Sequence, residues 1–143
     1  MNSFNKLICK IIIFNVLGGS DGSNSLRSTE LITINPPSTR YGPTLPKVHY
    51  GHCSVIAGDT IFVIGGYSNG YSKDTLMIDI ATGNITNGPD MAVARGFHAC
   101  TTYINEKGEN IILVAGAGTN DARSTTEILK VHEGQLSWTR GLF

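Results

Sequence analysis

An apolar run that ends in two glycines occurs at Ile61–Tyr67, where Ile-Phe-Val-Ile precedes Gly65 and Gly66. Variants of it occur at Val16–Ser20 and at Val114–Ala117. Val, Ile and Phe are typical of a buried strand, because branched and aromatic side chains pack well on a pleated surface. Glycine has no Cβ and adopts φ > 0 at little cost, so the pair marks a sharp exit from the strand. The repetition predicts a chain built from similar strand units.

The spacing of related residues gives the length of the unit. Gly42-Pro43 precedes His52 as Gly88-Pro89 precedes His98, with nine residues from proline to histidine in both cases. The two histidines are therefore 46 residues apart. This places the second copy one unit after the first.

The glycine pairs follow nearly the same period. Gly18-Gly19 lies 47 residues before the pair that begins at Gly65. In the third copy we align Ala115 with Gly65, 50 residues later, so that Ala115-Gly116 replaces the pair. We attribute the extra length to a longer hairpin at Asn105–Asn110, because a turn can grow without disturbing its strands.

Shorter strand segments lie between the glycine motifs, and we expect each unit to hold four strands joined by hairpins. They alternate or concentrate apolar residues at Ser28–Ile34, Tyr50–Ala57, Thr75–Ile80 and Thr126–Val131. The first unit lacks its opening strand. Pro36 and Pro37 cannot donate to a ladder, so the strand after them should be short or at an edge.

Composition agrees with a strand-rich globular chain and argues against two classes of partner. Charged residues are 15% of the chain and glycines number 17, which favours turns and strands over disorder or helices. Lys plus Arg and Asp plus Glu are 11 each, so no charge excess indicates nucleic acid or an anionic membrane as a partner.

The first residues raise the question of compartment. Residues 1–10 form a lead-in, and Met1–Leu17 has the loose shape of a secretory signal, but Lys10 interrupts its apolar run. The run is also shorter than the ~20 residues of a membrane helix. We prefer to assign Ile11–Gly19 to a strand and expect a cytoplasmic protein, with secretion as the alternative.

Cys9, Cys53 and Cys100 are too few and too odd in number for a disulfide scaffold. We expect ordinary reduced, half-buried thiols. A bridge between Cys53 and Cys100 is the alternative, which requires Cα atoms about 4.4 to 6.8 Å apart.

Taken together, these features resemble the kelch-repeat family of β-propellers, whose repeat length and four-stranded unit they match. The residues that carry the resemblance cover about 11–143 and form a structural signature: Gly18, Gly19, Gly65, Gly66, Gly116, His52, His98, Arg95 and Trp138, with Gly-Pro ahead of Leu45 or Met91. The resemblance implies an all-β fold of about three four-stranded antiparallel blades, at approximately 11–45, 46–91 and 92–143. Because propellers close with four to eight blades, it also implies a partial ring completed by further blades or by self-association.

The chain departs from the family pattern at several places. His49 replaces the arginine expected ahead of His52, and only the third unit carries a tryptophan. We infer a diverged member of the family.

The resemblance implies a non-catalytic module that binds a protein or peptide through loops at one end of the blades. Arg27, Tyr71, Lys73 and Arg123 are the candidate binding residues, since arginine pairs bidentately with carboxylates and kelch partners are often acidic. The turn Ala81–Asn84 on the opposite side is a competing site. The alternative function is a piece of a propeller enzyme, galactose-oxidase-like or sugar-modifying, with its active residues on other blades.

Metal and cofactor chemistry are not expected. His49, His52, Cys53, His98 and Cys100 include metal-ligand types at short spacing. Since His52 and His98 recur once per unit, we interpret them as structural residues that each bond a neighbouring loop. No phosphate loop or nucleophile-elbow motif is present.

Asn84-Ile85-Thr86 is a glycosylation sequon, which is relevant only in a secreted protein.

Overall fold

The computed structural model describes residues 13–34, 36–47, 50–116, 118, 120, 122–132 and 135–141. The lead-in, most of the signal-like segment, Cys9 and His49 lie outside these residues. Within them the chain forms three antiparallel sheets and no helix. None of the described residues forms a helix of the length and apolar character needed to cross a membrane.

The sheets follow one another along the chain. The first contains β1 (Ile13–Ser20), β2 (Ser25–Ile34) and β3 (Pro37–Tyr41); the second contains β4 (Cys53–Ala57), β5 (Thr60–Ile64), β6 (Thr75–Asp79) and β7 (Ile85–Asn87); the third contains β8 (Ala99–Ile104), β9 (Asn110–Ala115), β10 (Thr126–His132) and β11 (Gln135–Arg140). The described residues thus confirm the all-β fold of three blade-like antiparallel sheets, of which the first has three strands in this part of the chain. As the prolines predicted, β3 is a short edge strand with every residue exposed.

Both faces of the second sheet are buried, because alternate side chains of β5 point in opposite directions. Ile61 and Val63 pack in one cluster with Leu45, on the side of the first sheet. Phe62 and Ile64 pack in another, against residues of the third sheet. The members from the third sheet are Ile112, Val114 and Leu129. Sheets buried on both faces are what stacked propeller blades require.

Strand register corrects the alignment of the third unit. Ile64 pairs with Thr75 in the second sheet, and Ala115 pairs with Thr126 in the third. Gly116 therefore corresponds to Gly65, and the alignment of Ala115 with Gly65 is wrong by one residue. The true separation is 51, because the β8–β9 hairpin has longer strands and a longer turn than the β4–β5 hairpin.

The glycine motifs do adopt the conformation that their sequence predicts. φ is 58° at Gly18, 60° at Gly65 and 75° at Gly116. A Cβ on Gly65 would lie 2.5 Å from the Arg95 carbonyl oxygen, so the site also requires glycine for close approach.

A second glycine closes each unit; the repeated Gly-Pro pairs gave two of them, and the structure adds Gly141. After the last strand of each sheet, a glycine N–H donates to the carbonyl of a threonine in the neighbouring strand. The bonds are Gly42 to Thr29 at 2.8 Å, Gly88 to Thr75 at 2.8 Å and Gly141 to Thr126 at 2.9 Å. The repeat therefore extends to the final described residue.

A disulfide joins Cys53 in β4 to Cys100 in β8, with Cα atoms 6.0 Å apart. The expectation of reduced thiols is wrong for this pair. β4 lies beside β8. The two cysteines are not at corresponding positions, because strand register aligns Cys53 with Ala99, the residue before Cys100. The bond covalently links the second and third sheets.

Trp138 also connects these two sheets. Its indole Nε1–H donates to the Pro89 carbonyl at 3.0 Å and to Thr75 Oγ1 at 3.3 Å. The corresponding residue one unit earlier is Ile85, as the pairings with Leu129 and Ile78 show.

We expect Trp138→Phe to lower the free energy of unfolding by about 1–2 kcal/mol, because the Pro89 carbonyl loses its indole donor while the aromatic packing is largely kept. Urea denaturation measures it. Tyr103→Phe is the control: its side chain is half exposed, and removing its hydroxyl should change stability by less than about 0.5 kcal/mol. Equal values for the two variants would contradict a role for the indole hydrogen bonds.

Candidate aromatic binding site

Four aromatic side chains gather at the end of the sheets where the glycine motifs lie, hereafter the loop end. The ring centroids of Tyr50 and Tyr67 are 5.3 Å apart, those of Tyr50 and Phe97 are 5.9 Å apart, and those of Tyr67 and Tyr71 are 5.3 Å apart. The three tyrosines are half-buried, whereas Phe97 is 65% exposed. We call these four residues the aromatic cluster. It presents an apolar, aromatic surface to solvent between the second and third sheets.

Phe97 is held in an unusual backbone conformation. Its φ is 58°, which costs an ordinary L-residue about 1–2 kcal/mol. Its N–H donates to the Gly51 carbonyl at 2.6 Å, and its ring covers Gly51 so closely that a Cβ there would lie 2.8 Å from a ring carbon. The corresponding residue one unit earlier is Gly51, whose φ is 61°, so the repeat sets this backbone conformation. An exposed phenylalanine thus occupies a position that suits glycine, which makes Phe97 a candidate functional residue.

Tyr71 belongs to the loop of the second unit but lies on the third. Its ring fills the space that a side chain on Gly96 or Gly118 would need, and the Gly118 N–H donates to the Gly96 carbonyl at 2.9 Å. Both glycines are therefore required for Tyr71 to lie there.

A fully buried ion pair supports this surface from below. Arg95 and Glu127 are both 0% exposed, and Arg95 Nη2 lies 3.2 Å from Glu127 Oε1. The guanidinium also donates to the carbonyls of Gly116, Ala122 and Thr125 at 2.7, 3.2 and 3.0 Å. These bonds hold the loop after β9, because every one of the three carbonyls lies in it.

The carboxylate is satisfied as fully as the guanidinium. The N–H groups of Ala92 and Val93 donate to Glu127 at 2.7 and 3.1 Å. The backbone of Arg95 continues the network: its carbonyl accepts from Gly66 N–H at 2.7 Å, and its N–H donates to the Ser72 carbonyl at 2.8 Å. The loops of two units are thereby fixed to each other directly beneath the aromatic cluster.

We expect Glu127→Leu alone to destabilise the protein by about 3–5 kcal/mol, because it leaves the Arg95 charge buried without its counter-ion. Arg95→Leu should cost a similar amount. The double variant should cost less than the two single variants added together, by about 1–3 kcal/mol, since both charges are then gone. Urea denaturation of the four proteins measures this coupling. Strict additivity would contradict an energetic link between the two side chains.

His98 packs against Gly65 of the preceding unit, where a Cβ would lie 2.9 Å from its Cε1 atom. Both ring nitrogens are buried and have no hydrogen-bond partner among the described residues. The interpretation that His98 bonds a neighbouring loop is therefore wrong. Desolvation, followed by the nearby charges of Arg95 and His52, lowers the pKa of His98 from 6.5 to about 4. His98 is neutral at physiological pH.

The His98 pKa gives a pH dependence of stability. The unfolded chain takes up a proton near pH 6.5, whereas the folded protein does so only near pH 4. Between these values the unfolded state binds more protons, so stability falls as the pH is lowered and levels off below about 4. His98→Gln should flatten this part of the profile when the free energy of unfolding is measured by urea titration from pH 7 to 4. An unchanged slope would show that other groups cause it.

The four predicted binding residues lie in different environments. Arg27 is within β2, not in a loop as expected, and its Nε–H donates to the Leu45 carbonyl at 2.6 Å. Lys73 pairs with Asp90 at 3.3 Å, with both side chains about half exposed. Arg123 is exposed, and the described part of the chain offers it no hydrogen bond or ion pair. Tyr71 alone belongs to the aromatic cluster.

Sequence reasoning missed the other three members of the cluster. Tyr67 directly follows the glycine pair, so its place at the loop end was readable. Phe97 follows Gly96 directly, and its own triplet does not show that the backbone turns to φ > 0 there. The signal was the repeat, because Phe97 stands at the position that Gly51 holds one unit earlier.

The competing turn Ala81–Asn84 lies at the opposite end of the second sheet and borders a shallow cleft between the first and second sheets. The cleft has a volume of about 270 Å³ and is lined by Arg40, Tyr41 and Pro43 on one side and by Thr82 and Gly83 on the other. Tyr41 is 84% exposed. The predicted turn Ala81–Asn84 thus does border a concavity.

Metal-ligand types do not converge in the described ranges. No group of three or more His, Cys, Asp or Glu side chains there could hold a metal ion. Cys53 and Cys100 are bonded to each other.

Comparison with known proteins gives a consistent family. Kelch-like protein 36 from Bos taurus is 28% identical over 104 residues, and the Rattus norvegicus and Mus musculus proteins match to the same extent. The match covers 71% of this chain and 16% of each relative, so it spans a small part of those proteins. No family model matches the chain. Together with the three blade-like sheets, these relatives confirm the kelch repeats that the sequence indicated.

Proposed function

We propose that this kelch-repeat chain is a non-catalytic protein-interaction module whose partner binds at the aromatic cluster. The observation that carries the proposal is Phe97, which is exposed and held at φ 58° above a rigid base. The similarity of the chain to a kelch-like protein favours a binding role over an enzymatic one. The exposed aromatic rings support the proposed location of the binding site.

The surroundings of the cluster define the chemistry of the partner. Tyr50, Tyr67 and Phe97 offer ring faces and edges, which suit an apolar or aromatic side chain of a peptide. Their base is fixed by the Arg95 network, so little conformational entropy is lost on binding. An aromatic anchor on a rigid platform is a common centre of binding energy at interfaces.

Positively charged side chains contribute less to the proposed binding surface than the sequence predicted. The Arg27 Nε–H is engaged by Leu45, and Lys73 is engaged by Asp90. Arg123 remains available to a carboxylate on the partner. We therefore propose a peptide with an apolar or aromatic anchor, to which acidic residues add specificity and not most of the affinity.

Phe97→Gly separates binding from stability. Glycine accepts φ 58° without strain, so we expect stability to be unchanged or raised by up to about 1 kcal/mol. Binding should fall at least about tenfold, as expected when an aromatic anchor is removed. The probe is a set of peptides selected from a random display library on the wild-type protein, with affinity measured by fluorescence polarisation.

Tyr41→Gly is the matched control, because Tyr41 is an exposed aromatic residue at the competing cleft. It should change peptide affinity less than about twofold, in keeping with the small weight of residues outside the binding centre. Loss of affinity in the Tyr41 variant, with full binding in the Phe97 variant, would move the site to the cleft and overturn the proposal.

A further inference from the structure

We propose that, in an oxidising secretory compartment, Asn84 of this chain accepts an N-linked glycan while Cys53 and Cys100 form their disulfide. Asn84-Ile85-Thr86 is the single Asn-X-Ser/Thr triplet in the 143-residue sequence. Both Asn84 and Thr86 are exposed. The proposal does not depend on the function proposed for the aromatic cluster.

The turn that precedes Asn84 uses its backbone and leaves its side chain available. The Asp79 carboxylate accepts from the N–H and the hydroxyl of Thr82 at 2.7 and 2.8 Å. Thr82 Oγ1 in turn accepts from Asn84 N–H at 3.2 Å, and the Asn84 carbonyl accepts from Asp79 N–H at 3.0 Å. The Asn84 amide group makes no hydrogen bond within the described residues, so a glycan on it would break no native contact there.

The rest of the triplet lies on the outermost strand of its sheet. β7 is only three residues long and pairs with β6 on one side. Ile85 points toward the cluster that contains Leu76 and Ile78, whereas Thr86 is exposed. A bulky, hydrated group at Asn84 would therefore project from the rim of the molecule into solvent.

The disulfide is an independent observation that points to the same compartment. Disulfides such as Cys53–Cys100 form and persist in oxidising environments and are rare in the cytosol. N-linked glycosylation takes place on surface loops of secreted proteins. The two features share no residue, yet each needs the same location. Both features favour the secreted alternative over the expectation of a cytoplasmic protein.

The chemistry is a group transfer from a lipid-diphosphate-linked oligosaccharide. The amide Nδ2 of Asn84 attacks the anomeric carbon of the sugar, and a C–N bond forms. The bond from that carbon to the diphosphate oxygen breaks, and the lipid diphosphate leaves with the electron pair. The amide proton passes to a base of the transferase.

The position of Asn84 keeps the modification away from the aromatic cluster. The β6–β7 turn lies at the opposite end of the second sheet from Tyr67, since β6 begins at the loop end and ends at Asp79. The glycan would instead stand beside the cleft lined by Thr82 and Gly83. Peptide binding at Phe97 should therefore be the same with and without the glycan.

The test is secretion of residues 1–143 behind a cleavable leader from cultured mammalian cells. We expect a mobility shift on digestion with peptide N-glycosidase for the wild type and for Thr86→Ser, which keeps the sequon. Thr86→Ala and Asn84→Gln should show no shift. Non-reducing peptide mapping should find Cys53 bonded to Cys100 in all four proteins.

Two results would overturn the proposal. One is wild-type protein that is secreted with the disulfide formed and carries no glycan. The other is a glycosylated protein in which Cys53 and Cys100 are free thiols. Urea denaturation of Asn84→Gln separates these from a folding defect, because its unglycosylated stability should match that of enzymatically deglycosylated wild type.

Discussion

A pair of opposite charges with no access to solvent, Arg95 and Glu127, holds the loops of neighbouring units together. Removing two charges from water costs several kcal/mol per ion, and the cost is offset only when every remaining donor and acceptor finds a partner. Here the guanidinium donates to three backbone carbonyls, and the carboxylate accepts from two backbone N–H groups. The ion pair therefore holds the backbone of the surrounding loops in place and makes the loop end rigid.

The preceding unit shows the same constraint from the other side. Strand register places Leu76 where the third unit has Glu127, and the sequence places His49 where it has Arg95. Both members of the charged pair are replaced in the same unit, and Leu76 joins an apolar cluster. A single replacement would have left one charge buried alone. In these two units the charged pair is therefore either present as a whole or replaced as a whole.

This also shows what the sequence could and could not predict. Strand periodicity and the glycine motifs predicted the three sheets, because alternation and positive φ are local properties. The buried partner of Arg95 lies 32 residues away and carries no local signal, and the disulfide depends on the packing of β4 beside β8. Phe97 was missed for a related reason: its contacts with Gly51 and Tyr50 exist only once the sheets have assembled. Local patterns therefore gave the architecture, and the site required the packing between units.

The proline carbonyl after the last strand receives a hydrogen bond in both the first and the second unit, but from different donors. Thr75 Oγ1 accepts a hydrogen bond from Trp138 of the next unit, which also donates to the Pro89 carbonyl. Thr29 faces a unit with isoleucine at the tryptophan position, and its own hydroxyl donates to the corresponding Pro43 carbonyl at 2.7 Å. The equivalent carbonyls of Pro43 and Pro89 thus accept from different donors, so the hydrogen bond is retained while the donating residue changes. In a repeat array, where stability is the sum of units and interfaces, this allows one unit to diverge without weakening the next.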